Sequence, residues 1–404
     1  MKDILFLAHR IPFPPDRGDK IRSWHLLKHL AALGRVHLAC FADDAADAAH
    51  LPALRQALGG RLGEAHVEVR RRSRAGAGVR ALVEGRPVSL ALFDSARLRA
   101  FVAGRLADPA LGRIFAFSGQ MGQFVPSGAR QRFVMDFGDV DSAKFAQYAA
   151  EGAGPMRWVN RREGEKLLAF ERATAARADL SLFVSEAEAA LFRSLTGLAN
   201  VRALSNGIDV DHFDPAADFE RLGAAERGEG PLLLFTGQMD YAPNVQAVTW
   251  FAREMLPLIP RAHFAIAGRN PAPAVRALAG DRVIVTGAVA DMRAWLAAAD
   301  VVVAPLKLAR GIQNKVLEAM AMSRPVVASP AAFEGIEALP GRDLLVAGDE
   351  AGFADAVRGL IAAPARAAAI GAAARRRMEQ HYRWEARLAP LAAMVDPEAH
   401  RKAA

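Results

Sequence analysis

Several residue types and patterns are scarce in this chain of 404 residues. Its single cysteine, Cys40, allows no internal disulfide, and a buried thiol in a reducing compartment is the expected state. Only three tyrosines are present and no nucleic-acid-binding motif accompanies the basic charge, which disfavours nucleic acid as a partner. The N-terminus has too few apolar residues for a signal peptide, and no run approaches about 18 uncharged apolar residues. We therefore expect a cytoplasmic protein without a membrane span.

Apolar residues and positive charge are both abundant. Apolar residues make up 52% of the chain, which at this length is enough to form two hydrophobic cores. The formal net charge of +8 indicates an anionic partner, which could be nucleic acid, acidic lipid or a phosphorylated small molecule. Charge alone does not choose among these three.

Short, continuous apolar runs alternate with helical patterns along most of the sequence. Continuous runs are typical of parallel strands that are covered on both faces, so the rhythm predicts two doubly wound α/β units. The predicted strands are 4–8, 36–41, 113–117, 132–136 and 180–184 in the first unit, and 232–236, 264–267, 283–286, 301–304 and 325–328 in the second.

A stretch rich in turn signals after residue 203 predicts the domain boundary near Asn206. The expected division is 1–205, 206–380 and a C-terminal helical segment, 381–404. Because ligands of open α/β sheets lie beyond the carboxyl ends of the strands, we expect a cleft walled by strand-to-helix turns.

Three of these turns carry a glycine where a phosphate could approach the backbone. Gly18 precedes a helix that begins with charged residues, Gly237 follows the strand 232–236, and Gly268 with Arg269 follows the strand 264–267. Arg269 could bind a phosphate through its guanidinium group. A glycine that only permits a turn, and a solvated arginine, are the plainer alternatives.

Asp139 and Asp141 form an Asp-x-Asp pair after the strand 132–136. Two carboxylates at this spacing could hold a divalent cation. Asp141 and Ser142 also fit a helix cap, and we favour the cap because Asp-x-Asp is common by chance.

The stretch "PLKLARGIQNKVLEAMA" places Lys307, Arg310, Gly311 and Lys315 around the start of a helix. Cations at the positive end of a helix dipole are unfavourable by about 0.3–1 kcal/mol each unless an anion neutralises them. Glu318 lies on the same helix face as Lys315 and could accept hydrogen bonds from a diol such as ribose. A surface ion pair between these two side chains is the alternative.

The segment 67–105 combines many arginines with apolar residues. This composition suits contact with anionic lipid, and a solvated basic face explains it equally well.

In their order along the chain, these turns resemble the family 4 glycosyltransferases, which are retaining, sugar-nucleotide-dependent enzymes of the GT-B fold. The strongest match is "GIQNKVLEAMAMSRPVVAS", and "NGID", "FTGQMDYAPNVQAVTWF" and "IAGRNPAP" support it. More narrowly, "AHRIPFPPDRGDKIRSWHLLKHLA" and "DFGDVDSAKF" are similar to sugar transferases of the PEP-CTERM/exosortase exopolysaccharide systems.

The resemblance implies roles for particular residues. Glu318 would bind the ribose, Gly18 would lie near the phosphates, and the helix around Trp384 would return to the N-terminal domain. The diphosphate would lie at the helix start formed by Ile312, Gln313, Asn314 and Lys315. We take Arg310, Lys315 and Glu318 as the catalytic candidates.

The sequence departs from the family pattern at three places. Arg310 stands where the first Glu of an E-x7-E element is expected, and Gly237-Gln238 stands in place of a Gly-Arg pair that a lysine follows. The loop after strand 113–117 has Ser118 and its neighbours where a catalytic histidine is frequent. These departures leave the donor sugar open.

The implied activity is retaining transfer of a sugar from a UDP- or GDP-type donor to a lipid-linked or saccharide acceptor. Basic groups and N–H donors would stabilise the leaving diphosphate, so no metal or other cofactor is expected. Two alternatives remain: a GT-B-like binding or scaffold subunit without activity, and a metal-dependent transferase that uses Asp139 and Asp141. Peripheral contact with the inner face of the plasma membrane is part of the expectation.

Overall fold

The computed structural model describes residues 2–70, 74–309 and 311–396. The chain forms two compact units: the residues up to Ser205 group with the segment from Leu388 onward, and Asn206–Arg387 form the second unit. Each unit is a parallel α/β sheet with helices.

The first unit contains a seven-stranded, all-parallel sheet in the order β3-β2-β1-β4-β5-β6-β7. The interior strand β1 is completely buried from Ile4 to Ala8, as expected for an apolar run covered on both faces. The strands are β1 (Asp3–Ala8), β2 (Val36–Ala42), β3 (Leu62–Val69), β4 (Leu111–Phe117), β5 (Arg132–Gly138), β6 (Leu180–Phe183) and β7 (Val201–Ala203).

Nine helices connect these strands in the part of the chain that the structure describes. They are α1 (Gly18–Leu33), α2 (Ala45–Ala48), α3 (Leu51–Ala57), α4 (Arg74–Val83), α5 (Val88–Leu92), α6 (Ala96–Leu106), α7 (Asp141–Glu151), α8 (Gly154–Arg177) and α9 (Glu186–Thr196). A short 3-10 helix, Gly119–Phe124, follows β4.

The second unit contains a six-stranded parallel sheet in the order β10-β9-β8-β11-β12-β13. Its strands are β8 (Leu232–Thr236), β9 (His263–Ala267), β10 (Val283–Gly287), β11 (Val301–Ala304), β12 (Val326–Ala328) and β13 (Leu345–Val346). Its helices are α10 (Ala224–Arg227), α11 (Ala242–Trp250), α12 (Pro273–Arg276), α13 (Met292–Ala298), α14 (Asn314–Ala321), α15 (Pro330–Phe333), α16 (Glu350–Ala362) and α17 (Pro364–His381). A π-helical turn, Phe251–Met255, and a 3-10 turn, Leu256–Leu258, continue α11.

Two short helices, α18 (Trp384–Leu388) and α19 (Leu391–Val395), close the described chain. Within the first unit, the carbonyl of Met394 accepts a 3.0 Å hydrogen bond from Arg132 Nε, and Asp396 pairs with Arg113 at 2.9 Å. These contacts fix α19 beside β5.

The predicted pair of doubly wound α/β units is confirmed. The sequence did not indicate β3, whose central and C-terminal residues alternate polar and small side chains at the sheet edge, nor β7 and β13, which have three and two residues. In each sheet the strand order reverses once at the centre, between β1 and β4 and between β8 and β11. The carboxyl ends of these strand pairs are where open α/β sheets bind ligands.

Among the described residues, no single helix combines the length and the apolar character needed to cross a membrane. One bent pair, Glu350–Ala362 with Pro364–His381, meets the same test of length and composition.

Candidate functional site

Two glycines meet at the centre of the carboxyl edge of the second sheet. Gly237 follows β8 with φ 153°, and Gly268 follows β9 with φ 152°, both of which are conformations that favour glycine. A Cβ atom on Gly268 would lie 1.6 Å from the Gly237 carbonyl oxygen. The two turns therefore pack backbone against backbone, and neither leaves room for a side chain.

Lys315 lies directly beside this pair of turns. Its Nζ donates a 2.6 Å hydrogen bond to Asn244 Oδ1 and lies 4.2 Å from the centroid of the Phe235 ring. Asn244 is itself held by a 2.9 Å bond from its Nδ2 to the carbonyl of Gln238. Among the described residues, the Asn244 amide oxygen and the Phe235 ring are the contacts of the Lys315 ammonium group, and no ion pair with a carboxylate is formed. The ammonium group is therefore fixed by an amide oxygen and a ring, neither of which neutralises its charge.

Glu318 follows Lys315 by three residues on α14, and both side chains are half-buried. Burial lowers the pKa of Lys315 to about 7, although the charge of Glu318 acts in the opposite direction. Burial raises the pKa of Glu318 to about 7, against the influence of Lys315. Both groups titrate near neutrality because neither is fully solvated or tightly paired, a property common at binding and catalytic sites.

The start of α14 presents backbone amides to the same edge of the sheet. Gly311 has φ 64°, Gln313 occupies the N-cap position, and the helix begins at Asn314. Asn206 Nδ2 donates a 3.2 Å hydrogen bond to Asn314 Oδ1, which ties the "NGID" segment to this helix. The first amides of a helix have no intrahelical acceptor and carry its positive dipole end, so this terminus favours an anion. Ile312 is buried below it.

Three other predicted cations have different outcomes. Arg310 lies outside the described residues. Arg269 is half-buried on the turn that holds Gly268, and its carbonyl accepts a 2.9 Å bond from Met239 N. Lys307 Nζ lies 4.3 Å from the centroid of the Trp250 ring, so its ammonium group contacts that ring.

The corresponding edge of the first sheet is also rich in charge, but its cations have carboxylate partners. Arg10 pairs with Asp19 at 2.6 Å and with Asp43 at 3.0 Å, and Arg17 pairs with Asp43 at 2.6 Å. Burial alone would raise the pKa of Asp19, yet His9 and the two arginines hold it well below its ordinary value. Gly18, the first residue of α1, therefore lies within a neutralised network, and its predicted phosphate contact stays a prediction.

The predicted helix cap at Asp141 and Ser142 is wrong. The helix α7 already includes both residues, Val140 occupies the N-cap position, and no side chain among the described residues caps the helix. Ser142 Oγ instead donates a 2.5 Å hydrogen bond to Glu171.

Asp139 has a buried Oδ1 with no hydrogen-bond partner among the described residues. Burial, together with the charges of Glu188 and Asp141, raises the pKa of Asp139 to about 7. No group of three or more His, Cys, Asp or Glu side chains in the described ranges is arranged to hold a metal ion.

Sequence reasoning missed Asn244, Phe235 and His9. Asn244 and Phe235 position Lys315, and the only signal was an asparagine in the first turn of the helix that follows Gly237. His9, at the end of β1, has its ring 5.6 Å from that of Phe117, the last residue of β4. The His9 imidazole therefore lies beside β4, and the loop after β4 is the one that lacks a histidine.

One family model matches part of this chain. Residues 230–363 match the family model described as "Glycosyl transferases group 1". No curated protein matches the chain.

Among solved structures, HepE from Anabaena in complex with UDP superposes with a TM-score of 0.68, at 17% identity, over 98% of this chain and 99% of its own. Sucrose-phosphate synthase from Thermosynechococcus elongatus superposes with a TM-score of 0.70, at 19% identity, over 100% of this chain and 99% of its own. WaaG, a glycosyltransferase involved in lipopolysaccharide biosynthesis, superposes with a TM-score of 0.64, at 16% identity, over 98% of this chain and 99% of its own.

These whole-length likenesses confirm the predicted fold. The chain has the GT-B fold with two Rossmann-like domains, and its residues 230–363, which hold Gly237, Gly268, Lys315 and Glu318, match the model described as "Glycosyl transferases group 1".

Proposed function

We propose that this protein is a family 4 glycosyltransferase that takes a sugar from a nucleoside-diphosphate donor. The observation that carries the proposal is the half-buried Lys315, fixed by Asn244 beside two side-chain-free turns and without a carboxylate partner among the described residues. This arrangement suits a diphosphate, because a phosphate can approach both the ammonium group and the backbone of Gly237. The family match over residues 230–363 and the UDP complex of HepE support a nucleotide sugar as the donor.

Within this proposal, each predicted residue has a task. Lys315 and the amides at the start of α14, from Ile312 to Asn314, bind the diphosphate, and Glu318 accepts hydrogen bonds from the ribose hydroxyls. Arg269 and Gly268 approach the phosphates from the β9 turn. Arg310 stands where a contact to the donor sugar is expected.

The proposed chemistry is transfer with retention and without a metal. The bond between the anomeric carbon of the sugar and the diphosphate oxygen breaks while the acceptor oxygen bonds to that carbon from the same face, and the acceptor proton passes to the leaving diphosphate. Lys315 with the α14 terminus stabilises the negative charge that develops on the diphosphate. Preorganised donors need no reorganisation at this step, because Asn244 and Phe235 already hold the ammonium group in place.

The acceptor in this proposal is a lipid-linked or saccharide hydroxyl in exopolysaccharide assembly. The resemblance to PEP-CTERM/exosortase-associated sugar transferases and the excess of positive charge motivate it. The enzyme would act in the cytoplasm, in peripheral contact with the inner face of the plasma membrane.

The proposal is tested by calorimetric titration with UDP, GDP, ADP and inorganic pyrophosphate, and by turnover of the matching sugar nucleotides. We expect one nucleoside diphosphate to bind. Glu318→Gln should weaken the nucleotide at least tenfold relative to pyrophosphate, since only the nucleotide carries a ribose and the lost carboxylate charge acts on both anions. Absence of both nucleotide binding and turnover would favour the scaffold alternative.

The metal-dependent alternative has one observation in its favour, the orphaned Oδ1 of Asp139 among the described residues. Turnover in EDTA and turnover of Asp139→Asn decide between the two mechanisms. Activity that survives in both conditions supports the metal-independent mechanism.

A further inference from the structure

The helix α4 has apolar side chains on two opposite faces. Ala77 and Ala81 are buried against α5. Val79, Leu82 and Val83 form the opposite stripe at i, i+3 and i+4, and they are 66%, 55% and 83% exposed. A helix needs only one apolar face to pack on its own unit, so the outer stripe has no role in this fold.

The first turns of α8 repeat this exposure. Met156 is 60% exposed, Trp158 is 59% exposed and Val159 is 36% exposed. Ten large apolar side chains are exposed in the described part of the chain, and six of them lie on these two helices. The exposure is therefore concentrated and not scattered over the surface.

Two contacts bring the helices together within the first unit. Arg162, one turn after Trp158 on the same face of α8, donates to the carbonyls of Ala81 at 2.9 Å and Arg86 at 3.2 Å. The buried Glu163 accepts hydrogen bonds from the amides of α5, whose connection to α4 is only four residues long. The two sets of apolar side chains therefore lie on adjoining helices of the first unit. We call the two sets together the α4–α8 face, defined by Val79, Leu82, Val83, Met156, Trp158 and Val159.

Positive charge surrounds this face. The sequence 74–94 has three arginines and two acidic residues, and the sequence 154–166 has four cations and two glutamates, so the two stretches have net charges of +1 and +2. Within the first stretch, Arg80 and Arg86 pair with Asp94 at 3.1 Å and 3.9 Å. Beside the face, a cavity of about 570 Å³ is lined by Arg86, Lys166 and Arg177 together with apolar side chains such as Phe170. Exposed ion pairs here, such as Arg161 with Glu165 at 3.1 Å, are worth little and can rearrange.

We propose that the α4–α8 face binds the surface of an anionic lipid bilayer. Apolar side chains would enter the boundary between headgroups and acyl chains while the flanking cations contact anionic headgroups. Two copies of this face would oppose like charges, which disfavours self-association as its purpose. The proposal deepens the membrane contact in the proposed function by naming its surface, but its test needs neither donor nor acceptor.

The test is sedimentation of the full chain with vesicles of phosphatidylcholine and phosphatidylglycerol, and with vesicles of phosphatidylcholine alone, at low salt. We expect binding to the anionic vesicles only. The double variant Leu82→Asp, Val83→Asp should lose at least tenfold in partition. Leu339→Asp is the control, since Leu339 is 52% exposed on the second unit, and it should bind as the unchanged chain does. Far-UV circular dichroism and urea unfolding establish that each variant is folded.

A second readout places Trp158 in the lipid. Brominated acyl chains should quench part of the tryptophan fluorescence in the unchanged chain, and Trp158→Phe should remove that part. Equal vesicle binding by the double variant and the control would overturn the proposal, as would no binding to anionic vesicles. A concentration-dependent dimer that the double variant abolishes would assign the face to a second copy instead.

Discussion

The cations at the carboxyl edges of the two sheets have different partners. In the first unit, Arg10 and Arg17 reach Asp19 and Asp43 at 2.6–3.2 Å, so their charges are neutralised within the fold. In the second, Lys315 has an amide oxygen and an aromatic ring as neighbours. Its charge is positioned but not neutralised.

This difference shows how a cation-rich turn should be interpreted. The number of cations near a glycine turn does not identify an anion site, because Gly18 and Gly237 are both surrounded by basic residues. What distinguishes the Gly237 turn is that its lysine is held in place by neutral groups. Burial without a tight carboxylate partner lowers the pKa of Lys315 to about 7, so a bound phosphate would supply the missing counter-charge.

The largest effect is expected from Gly268→Ala. Its Cβ would lie 1.6 Å from the Gly237 carbonyl oxygen, and at φ 152° alanine is itself strained. The variant should lose at least about 3 kcal/mol of unfolding free energy and all nucleotide binding. Urea unfolding measures the stability, with Gly280→Ala as the control, because a Cβ there meets nothing within 4 Å. Equal stability of the two variants would show that the two turns can separate.

Next in size is the comparison of Lys315→Met with Arg17→Met. Hydrogen bonds to charged groups contribute about 1.5–3 kcal/mol, so the first variant should weaken nucleoside diphosphate and pyrophosphate binding by about ten- to a hundredfold. Arg17→Met should leave both affinities unchanged, since Arg10 and Arg70 still neutralise Asp43 at 3.0 Å. Calorimetric titration measures both. A similar loss of affinity in the two variants would show that the paired cations of the first edge and Lys315 of the second contribute alike to anion binding.

The sequence was enough to predict the two sheets, because continuous apolar runs such as Val301–Ala304 can hardly be anything but buried strands. It also indicated Gly237, Gly268 and Lys315 as candidates, since each stands at a strand-to-helix turn. It could not show that the first two touch, because that depends on the register of β8 against β9, in which Thr236 pairs with Ala267.

Side-chain partners across long sequence separations were equally out of reach. Asn244 accepts a hydrogen bond from Lys315, which is 71 residues away in the sequence. Arg22 pairs with the buried Asp136, which is 114 residues away. The cap predicted at Asp141 and Ser142 failed for the same reason. Glu171, a distant residue on α8, binds the Ser142 hydroxyl that a local pattern assigns to the helix start.

A smaller effect is expected from Asn244→Asp, which would give Lys315 a carboxylate partner like those of the cations at the edge of the first sheet. A carboxylate in place of the amide oxygen 2.6 Å from Lys315 Nζ would raise the pKa of Lys315 and compete with phosphate. Nucleotide affinity should fall by about tenfold, which is about 1.4 kcal/mol. Gln246→Glu adds the same charge at an exposed position of α11 and is the control for the change in net charge. Unchanged affinity in Asn244→Asp would mean that the Lys315 charge does not bind the ligand.

The smallest effect is a dependence of affinity on pH that only the second edge should show. Lys315 and Glu318 both have a pKa of about 7, so raising the pH from about 6 to 8 removes a proton from each. The site thereby loses positive charge and gains negative charge, and the affinity for an anion must fall in that direction. A nucleotide sugar is the suitable probe, because its diphosphate is substituted at both ends and keeps a constant charge over this range. Titrations at each pH should show a decline of several-fold, and the decline should disappear in the double variant Lys315→Met, Glu318→Gln. A decline of equal size in the double variant would place the titrating group elsewhere in the chain, and an affinity that rises with pH would contradict the assignment of Lys315 as the phosphate ligand.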